Sequence, residues 1–233
     1  MKLPSRRQRG AALVCSLVLM LATMLVGVAI CRTVFAAIAS SRAERERGIA
    51  REAAEAALVD AERDIAGADA VRATLFTAAG APAFVDACGR GGNSRGLCLA
   101  SSPAPWESLD LAEPGHPALV PYGYYTGASM GTGKGMLTAR LPGYLIERIV
   151  PPGASPAMGQ FYRVTAIGFG SHATTRAVLQ SVYRLPPPLP PPPPAGAPPA
   201  AAGAGPPPVQ LPAGRIGWRE IANWAQLHAE ATE

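Results

Sequence analysis

The hydrophobic pattern changes once along the first seventy residues. Ala11 to Cys31 contains no charged residue and no proline, and a helix of that length spans roughly 30 Å, the thickness of a bilayer core. From residue 40 onward the apolar residues instead recur at spacings of three and four, as an amphipathic helix requires. They form one stripe, made of Ala50, Ala54, Ala57, Leu58, Ala61 and Ile65. The pattern therefore predicts a membrane-spanning segment over 11–38 and an amphipathic segment over 39–67.

These two segments are predicted to form one continuous helix. No proline occurs between Ala11 and Ala81, and Gly67 is a typical C-terminal stop. The charged residues of the amphipathic half are expected off the apolar stripe, namely Arg51, Glu52, Asp60, Glu62 and Arg63.

Strand-like patterns follow in the second half of the chain. Tyr144–Val150, Phe161–Phe169 and Ala173–Leu185 are rich in Tyr, Ile, Val and Phe, and short turn-forming segments separate them. Such a series predicts a three-stranded antiparallel meander. With the long helix packed across one face, the class is α+β. We place this head domain at 68–185, of which 68–143 is too irregular to predict in detail.

Proline dominates the next segment. Residues 186–208 are mostly Pro, Ala and Gly, which predicts a semi-rigid polyproline linker that ends the head domain. In the tail, residues 209–233, an apolar helical patch is expected from Ile216, Ile221, Trp224 and Leu227. This patch either folds back on the head, which we favour, or engages a partner.

Charge indicates orientation rather than nucleic-acid binding. The formal net charge is +5, but Lys2, Arg6, Arg7 and Arg9 lie in the first ten residues, and removing these four leaves +1. No nucleic-acid partner is therefore predicted. The positive-inside rule instead places the N-terminus in the cytoplasm and the head in the periplasm. The alternative is a cleavable secretory signal ending near Ala37-Ile38-Ala39.

The cysteines suggest structure rather than catalysis. Cys88 and Cys98 bracket a glycine-rich loop, so in an oxidising periplasm we expect a disulfide that contributes about 2–3 kcal/mol. No metal site is predicted, because the histidines are scattered and CxxC is absent. Cys31 is expected to be an ordinary apolar residue of the membrane helix, as is Cys15.

Two glycine motifs resemble nucleotide-binding fingerprints but fail on context. The Met130–Gly135 segment contains a lysine, but Gly135 stands where a P-loop needs Ser or Thr. Gly168-x-Gly170-x-x-Ala173 precedes a strand pattern and is expected to be a hairpin turn. No catalytic constellation, cofactor or enzymatic activity is predicted.

The chain resembles type IV pilin-like proteins, and PilX-type minor pilins in particular. The resemblance rests on RGAALVCSLVLM, REAAEAALVDAERDI, YLIERI, FYRVTAIGFG, AVLQSVYRL and the terminal GRIGWREI. It implies a prepilin leader, residues 1–10, cut between Gly10 and Ala11 by prepilin peptidase. It also implies a pilin fold, and it marks Trp218, Arg219 and Glu220 as a C-terminal motif of the family.

One departure from major pilins concerns Cys15, the fifth residue after the expected cleavage point. Most pilins carry a glutamate there, which pairs with the terminal amine of a neighbouring subunit. A carboxylate in the membrane is costly without such a partner, and a subunit at the filament tip has no preceding neighbour. The resemblance thus implies a minor pilin that primes assembly in the inner membrane and then sits at or near the pilus tip.

The implied partners are other minor and major pilins, the inner-membrane assembly platform, prepilin peptidase and a tip adhesin. Two alternatives stay open. One is a K-type pseudopilin of type II secretion. The other is a single-pass, membrane-anchored periplasmic enzyme or wall-binding protein.

Overall fold

The N-terminal half of the chain is dominated by one long helix. The computed structural model describes residues 11–133, 135–188 and 211–233, and the chain divides into two units, Met1–Arg45 and Glu46–Glu233. Helix α1 begins at Ala11 and ends at Ile65, which confirms the predicted continuous helix. In the described part of the first unit every side chain is exposed, and this helix is long and apolar enough to cross a membrane.

Helix α1 ends where the glycine signal predicts. Gly67 adopts φ +103°, a conformation that costs glycine little because it has no Cβ. The Gly67 amide donates to the Asp64 carbonyl at 3.2 Å and the Ala68 amide to the Arg63 carbonyl at 3.0 Å. This pair of bonds is a Schellman cap, which satisfies carbonyls that the helix end would otherwise leave unpaired.

The head contains one six-stranded sheet. Its strands are β1 (Leu97–Leu99), β2 (Val120–Pro121), β3 (Gly143–Ile149), β4 (Gln160–Phe169), β5 (Arg176–Leu185) and β6 (Gly214–Glu220). The order is β1-β3-β4-β5-β6, with β2 also paired to β3. All pairs are antiparallel except β1 with β3. The predicted meander is therefore confirmed as β3-β4-β5, and β1 adds one parallel pair.

One face of the sheet packs against the apolar stripe of α1. All six stripe residues are buried, and all but Ala50 belong to a core with Tyr144, Ile146, Tyr162, Val164, Ala166 and Leu179. The approach is close at Gly168, where a Cβ would lie 2.2 Å from the Ala50 carbonyl oxygen and the Ala54 nitrogen. Small residues on both elements thus let the helix and the sheet backbones come together.

The opposite face is covered at one end by short helices. These are α3 (Pro105–Ser108) and α4 (Trp224–Thr232), whereas α2 (Ala70–Ala73) directly follows α1 in the chain. A second core forms there, including Trp106, Leu145, Ile167, Phe169, Val178, Ile221 and Trp224. The C-terminal segment therefore contributes side chains to the core of the same unit.

The helical patch expected in this segment is wrong over 214–220, which is strand β6. Gly214 and Gly217 disfavour a helix, and the free edge of β5 supplies hydrogen-bond partners for an extended segment. Gly214 pairs with Arg184 at the end of β5, so the two ends of the proline-rich connection lie side by side. From residue 189 to 208 the expected polyproline linker lies outside the described residues.

Candidate functional site

The exposed N-terminal helix carries the residues predicted to act in the membrane. Ala11 is the first residue of α1, Cys15 is exposed on it, and Gly10 lies outside the described residues. The hydroxyl groups of the apolar segment 11–38 are hydrogen-bonded within the helix. Each donates to the carbonyl three residues earlier, Ser16 at 2.9 Å, Thr23 at 2.9 Å and Thr33 at 2.8 Å. A bilayer core contains no water, so polar groups in it must be hydrogen-bonded within the protein.

Two acidic residues of α1 lie inside the head. Asp60 was expected off the apolar stripe, but it is buried because it binds a loop. One of its carboxylate oxygens accepts the Gly123 amide at 2.7 Å and the other accepts the Thr126 hydroxyl. Such bonds compensate the loss of water around a buried carboxylate.

Asp64 is the second buried acid of α1. Both of its oxygens lie 2.8 Å from Arg72 Nε, and the Tyr144 hydroxyl donates to it at 3.0 Å. Burial raises the pKa of Asp64, and the charge of Arg72 opposes that rise. The cluster joins the helix to the sheet and to the segment after the helix.

The glycine-rich loop between Cys88 and Cys98 is tied down at several points. The two sulfur atoms form a disulfide in the structure. Arg72 Nη1 donates to the Asn93 carbonyl, and the Tyr125 hydroxyl donates to the Gly92 carbonyl at 2.5 Å. Arg72 also lies over the Tyr125 ring, 3.7 Å from its centroid. The glycine-rich loop has few side chains that could stabilise its conformation, and contacts from residues outside the loop therefore stabilise it.

The C-terminal motif lies on the edge strand β6. Trp218 faces α1, where its Nε1 donates to Glu55 at 3.1 Å and Arg51 lies 5.3 Å from its ring centroid. Arg219 faces the other way and donates to Gln180 Oε1 from Nε at 3.0 Å and from Nη2 at 2.6 Å. Glu220 pairs in register with Leu179. Both Trp218 and Arg219 thus have partners, and both stay partly open to solvent.

Arg215 is a residue that the sequence analysis missed. It donates to Glu62 at 2.6 Å and to Glu55 at 2.5 Å. Burial alone would lower the pKa of Arg215, but these hydrogen bonds and charges raise it. A signal for the site existed, because Glu55 and Glu62 are seven residues apart and so lie on one face of a helix.

Arg184 was missed as well, and no local pattern indicates it. It is buried, and it donates from Nε to the Met158 carbonyl at 2.7 Å and from Nη1 to the Pro212 carbonyl at 3.1 Å. It therefore fastens the chain where the proline-rich connection rejoins the sheet.

The two glycine motifs have ordinary structural places. Gly168 lies in β4, which ends at Phe169, and Gly170 begins the hairpin turn that leads to β5 at Arg176. In the other motif, Lys134 lies outside the described residues. Among the residues that the structure describes, no group of three His, Cys, Asp or Glu side chains is placed to hold a metal ion.

Comparison with family models identifies the family of this chain. A model described as PilX N-terminal matches residues 9–59. A model described as Type IV pilus assembly protein PilX C-term matches residues 73–185. Together they cover well over half of the chain. The chain belongs to the PilX family. No curated protein and no solved structure matches it.

Membership of the PilX family agrees with the observed architecture. The two matched ranges correspond to most of helix α1 and to strands β1 to β5 with the loops before them, whereas β6 lies beyond the matched residues. This PilX protein is thus a type IV pilus component, with an apolar N-terminal helix suited to membrane anchoring. The family is a structural one that works through contacts with other pilus components.

Proposed function

We propose that this PilX protein is a minor pilin that primes assembly of a type IV pilus and is incorporated at or near its tip. The observation that carries the proposal is the exposed apolar helix with Cys15 at the position where most pilins have a glutamate. Such a helix packs against the helices of other pilins through apolar contacts. Because Cys15 carries no charge, the helix needs no preceding subunit whose amine would neutralise a carboxylate at this position.

We infer the same route to the membrane for this chain as for pilins in general. Prepilin peptidase removes residues 1–10 by cutting between Gly10 and Ala11. The N-terminus faces the cytoplasm and the head faces the periplasm, in keeping with the basic residues before the apolar run. The partners are then the other minor and major pilins, the inner-membrane assembly platform and a tip adhesin.

Two variants of Cys15 test this function. In a strain that lacks the gene, the wild-type protein and Cys15→Ser restore surface pili, and an epitope on the head is found by immunogold labelling at fibre ends. Cys15→Glu restores fewer pili, because it places an unpaired carboxylate in the membrane. Label spread along the fibre shaft, or full activity of Cys15→Glu, contradicts a tip position.

The secretion alternative is decided by the same deletion strain. A strain that keeps its pili and loses enzyme secretion identifies a type II pseudopilin instead. Leader cleavage is measured separately by the intact mass of the membrane-extracted protein. Gly10→Val retains residues 1–10, whereas the neighbouring control Gln8→Ala is processed normally.

A further inference from the structure

A cavity of about 310 Å³ lies at the end of the sheet where β3 begins and β4 ends. Most of its wall is apolar and includes Leu111, Leu119, Leu141, Pro142 and Phe169. Neither the motifs of the sequence nor the pilin function uses this cavity. Its volume is at the small end of the range for ligand sites.

Two arginines stand in this apolar wall. Arg95 donates from Nε to the Leu119 carbonyl at 2.8 Å and from Nη2 to the His116 carbonyl at 3.3 Å. Arg140 donates from Nη2 to the Ala112 carbonyl. Within the described ranges, neither guanidinium has a carboxylate oxygen within 4.0 Å. By contrast, Arg72, Arg163 and Arg215 each pair with an acid.

Of the two arginines, Arg140 is the less completely hydrogen-bonded among the described residues. Its Nε is buried and has no hydrogen-bond partner among the described residues, which is costly for a donor. Its guanidinium lies 3.7 Å from the centroid of the Phe169 ring. Burial lowers the pKa of Arg140, so its charge is held in a partly desolvated place.

The other charged residues near the cavity do not provide these two arginines with a direct acidic partner. Asp110 and Arg176 act on Arg140 in opposite directions. Glu113, at the rim, lies 3.7 Å from His116 and is more than half exposed. The cavity therefore presents two cations without a direct acidic partner, next to an apolar wall.

We propose that this cavity binds the C-terminal residue of a partner polypeptide, with an apolar side chain against Leu119 and Phe169 and the terminal carboxylate on Arg140 and Arg95. A chain terminus carries its carboxylate and its side chain on the same carbon, which matches a small apolar cavity with cations in its wall. A long acyl chain needs more room than this. The proposal is independent of where the protein sits in a pilus.

Exposed apolar residues beside the cavity fit a polypeptide partner. Leu141 is 43% exposed, and the segment that leads to it exposes Leu137 and Met136. Residues just before the terminus of a partner would cover such side chains on binding. Exposed apolar residues grouped at a cavity are typical of interaction sites.

Calorimetric titration of the full-length protein in detergent tests the proposal. The probes are acetyl-Gly-Gly-Phe with a free carboxylate, the same peptide as its C-terminal amide, octanoate, and acetyl-Phe-Asp-Gly-amide. The free acid binds, and the amide binds about tenfold more weakly or worse, since it loses a charge-assisted hydrogen bond. Equal binding of acid and amide, or no binding of the acid, overturns the proposal. Octanoate or the internal aspartate binding as well as the free acid overturns the choice of a chain terminus.

Three variants locate the binding site. Arg140→Gln weakens binding of the free acid about tenfold, and Arg90→Gln, at an exposed arginine outside the cavity, leaves it unchanged. Leu141→Glu covers the case in which Arg140→Gln disturbs the fold. It adds a negative charge at the exposed rim and removes an apolar contact, so it weakens binding of the acid more than binding of the amide. Unchanged binding in both cavity variants contradicts the assignment.

Discussion

Buried charges at single residues hold the head of this PilX protein to its long helix. Asp64 and Arg72 are both fully buried, and Tyr144 adds a hydrogen bond to the same carboxylate. Taking such a pair out of water is expensive, and it is tolerated because each group finds the other. Loss of one member therefore costs more than the pair contributes.

Asp64→Asn is the corresponding prediction. It leaves the Arg72 charge buried without a carboxylate, so the free energy of unfolding falls by about 3–5 kcal/mol. Urea unfolding followed by circular dichroism measures the change. The control is Glu52→Gln, an exposed acid on the same helix, which shifts stability by less than about 0.5 kcal/mol. Equal stability of the two variants would show that the pair is not the anchor.

Glu46 gives a residue-scale prediction for pH. Hydrogen bonds from the Ser171 hydroxyl and from His172 hold the pKa of Glu46 below its ordinary value of 4.5. The contact is therefore stabilising above that value, and its contribution is lost as the pH falls through the lowered pKa.

The chemical shift of the His172 amide, followed by NMR through the acid range, measures this titration of Glu46. The midpoint lies below 4.5 in the wild type and rises in Ser171→Ala, which removes the largest cause of the shift. Thr174→Ala, at an exposed residue of the same turn, leaves the midpoint unchanged. A wild-type midpoint at or above 4.5 excludes the contact.

At the scale of elements, the C-terminal strand and helix complete the sheet and its second core. Strand β6 pairs with β5, with a register shift between Val182 and Tyr183. Helix α4 places Trp224 against the core, where its Nε1 donates to the Trp106 carbonyl at 2.9 Å. These elements belong to the folded head, although a long proline-rich connection separates them from it in sequence.

The two tryptophans of this segment make a matched pair. Trp224 is 3% exposed and Trp218 is 42% exposed. Trp224→Ala therefore lowers the free energy of unfolding by about 3–5 kcal/mol through the cavity it leaves. Trp218→Ala costs about 1 kcal/mol, because it loses one hydrogen bond and partial packing. Urea unfolding compares them, and a larger effect at Trp218 would mean that β6, rather than α4, secures the tail.

For the whole molecule, the prediction concerns orientation in the membrane. We expect a reporter enzyme that is active only outside the cytoplasm to work when it is fused after residue 66 and to fail when it is joined to the full chain ahead of residue 1. The reason is the basic cluster of Lys2, Arg6, Arg7 and Arg9, which stays on the cytoplasmic side. Replacing all four by glutamine reduces the activity of the first fusion. Activity of the reporter joined ahead of residue 1 would reverse the orientation.

Much of the fold follows from short-range patterns. The long helix, its stop at Gly67 and the three central strands depend on residues close in sequence, so hydropathy and turn signals predict them. Strand β5 begins at Arg176 rather than at Ala173, because the intervening residues complete the turn. Element boundaries of this kind depend on hydrogen bonds that no periodicity reveals.

The amino-acid sequence was enough to predict a membrane-suited helix, an amphipathic continuation, an antiparallel meander and the family. Only the folded chain shows that Asp60 and Asp64 are buried, that Arg215 contacts Glu55 and Glu62, and that residues 214–220 form a strand. In each case the interacting residues are far apart in the sequence. A buried charge or an edge strand is stable only when a distant segment supplies its partner, and the identity of that partner is a property of the folded chain.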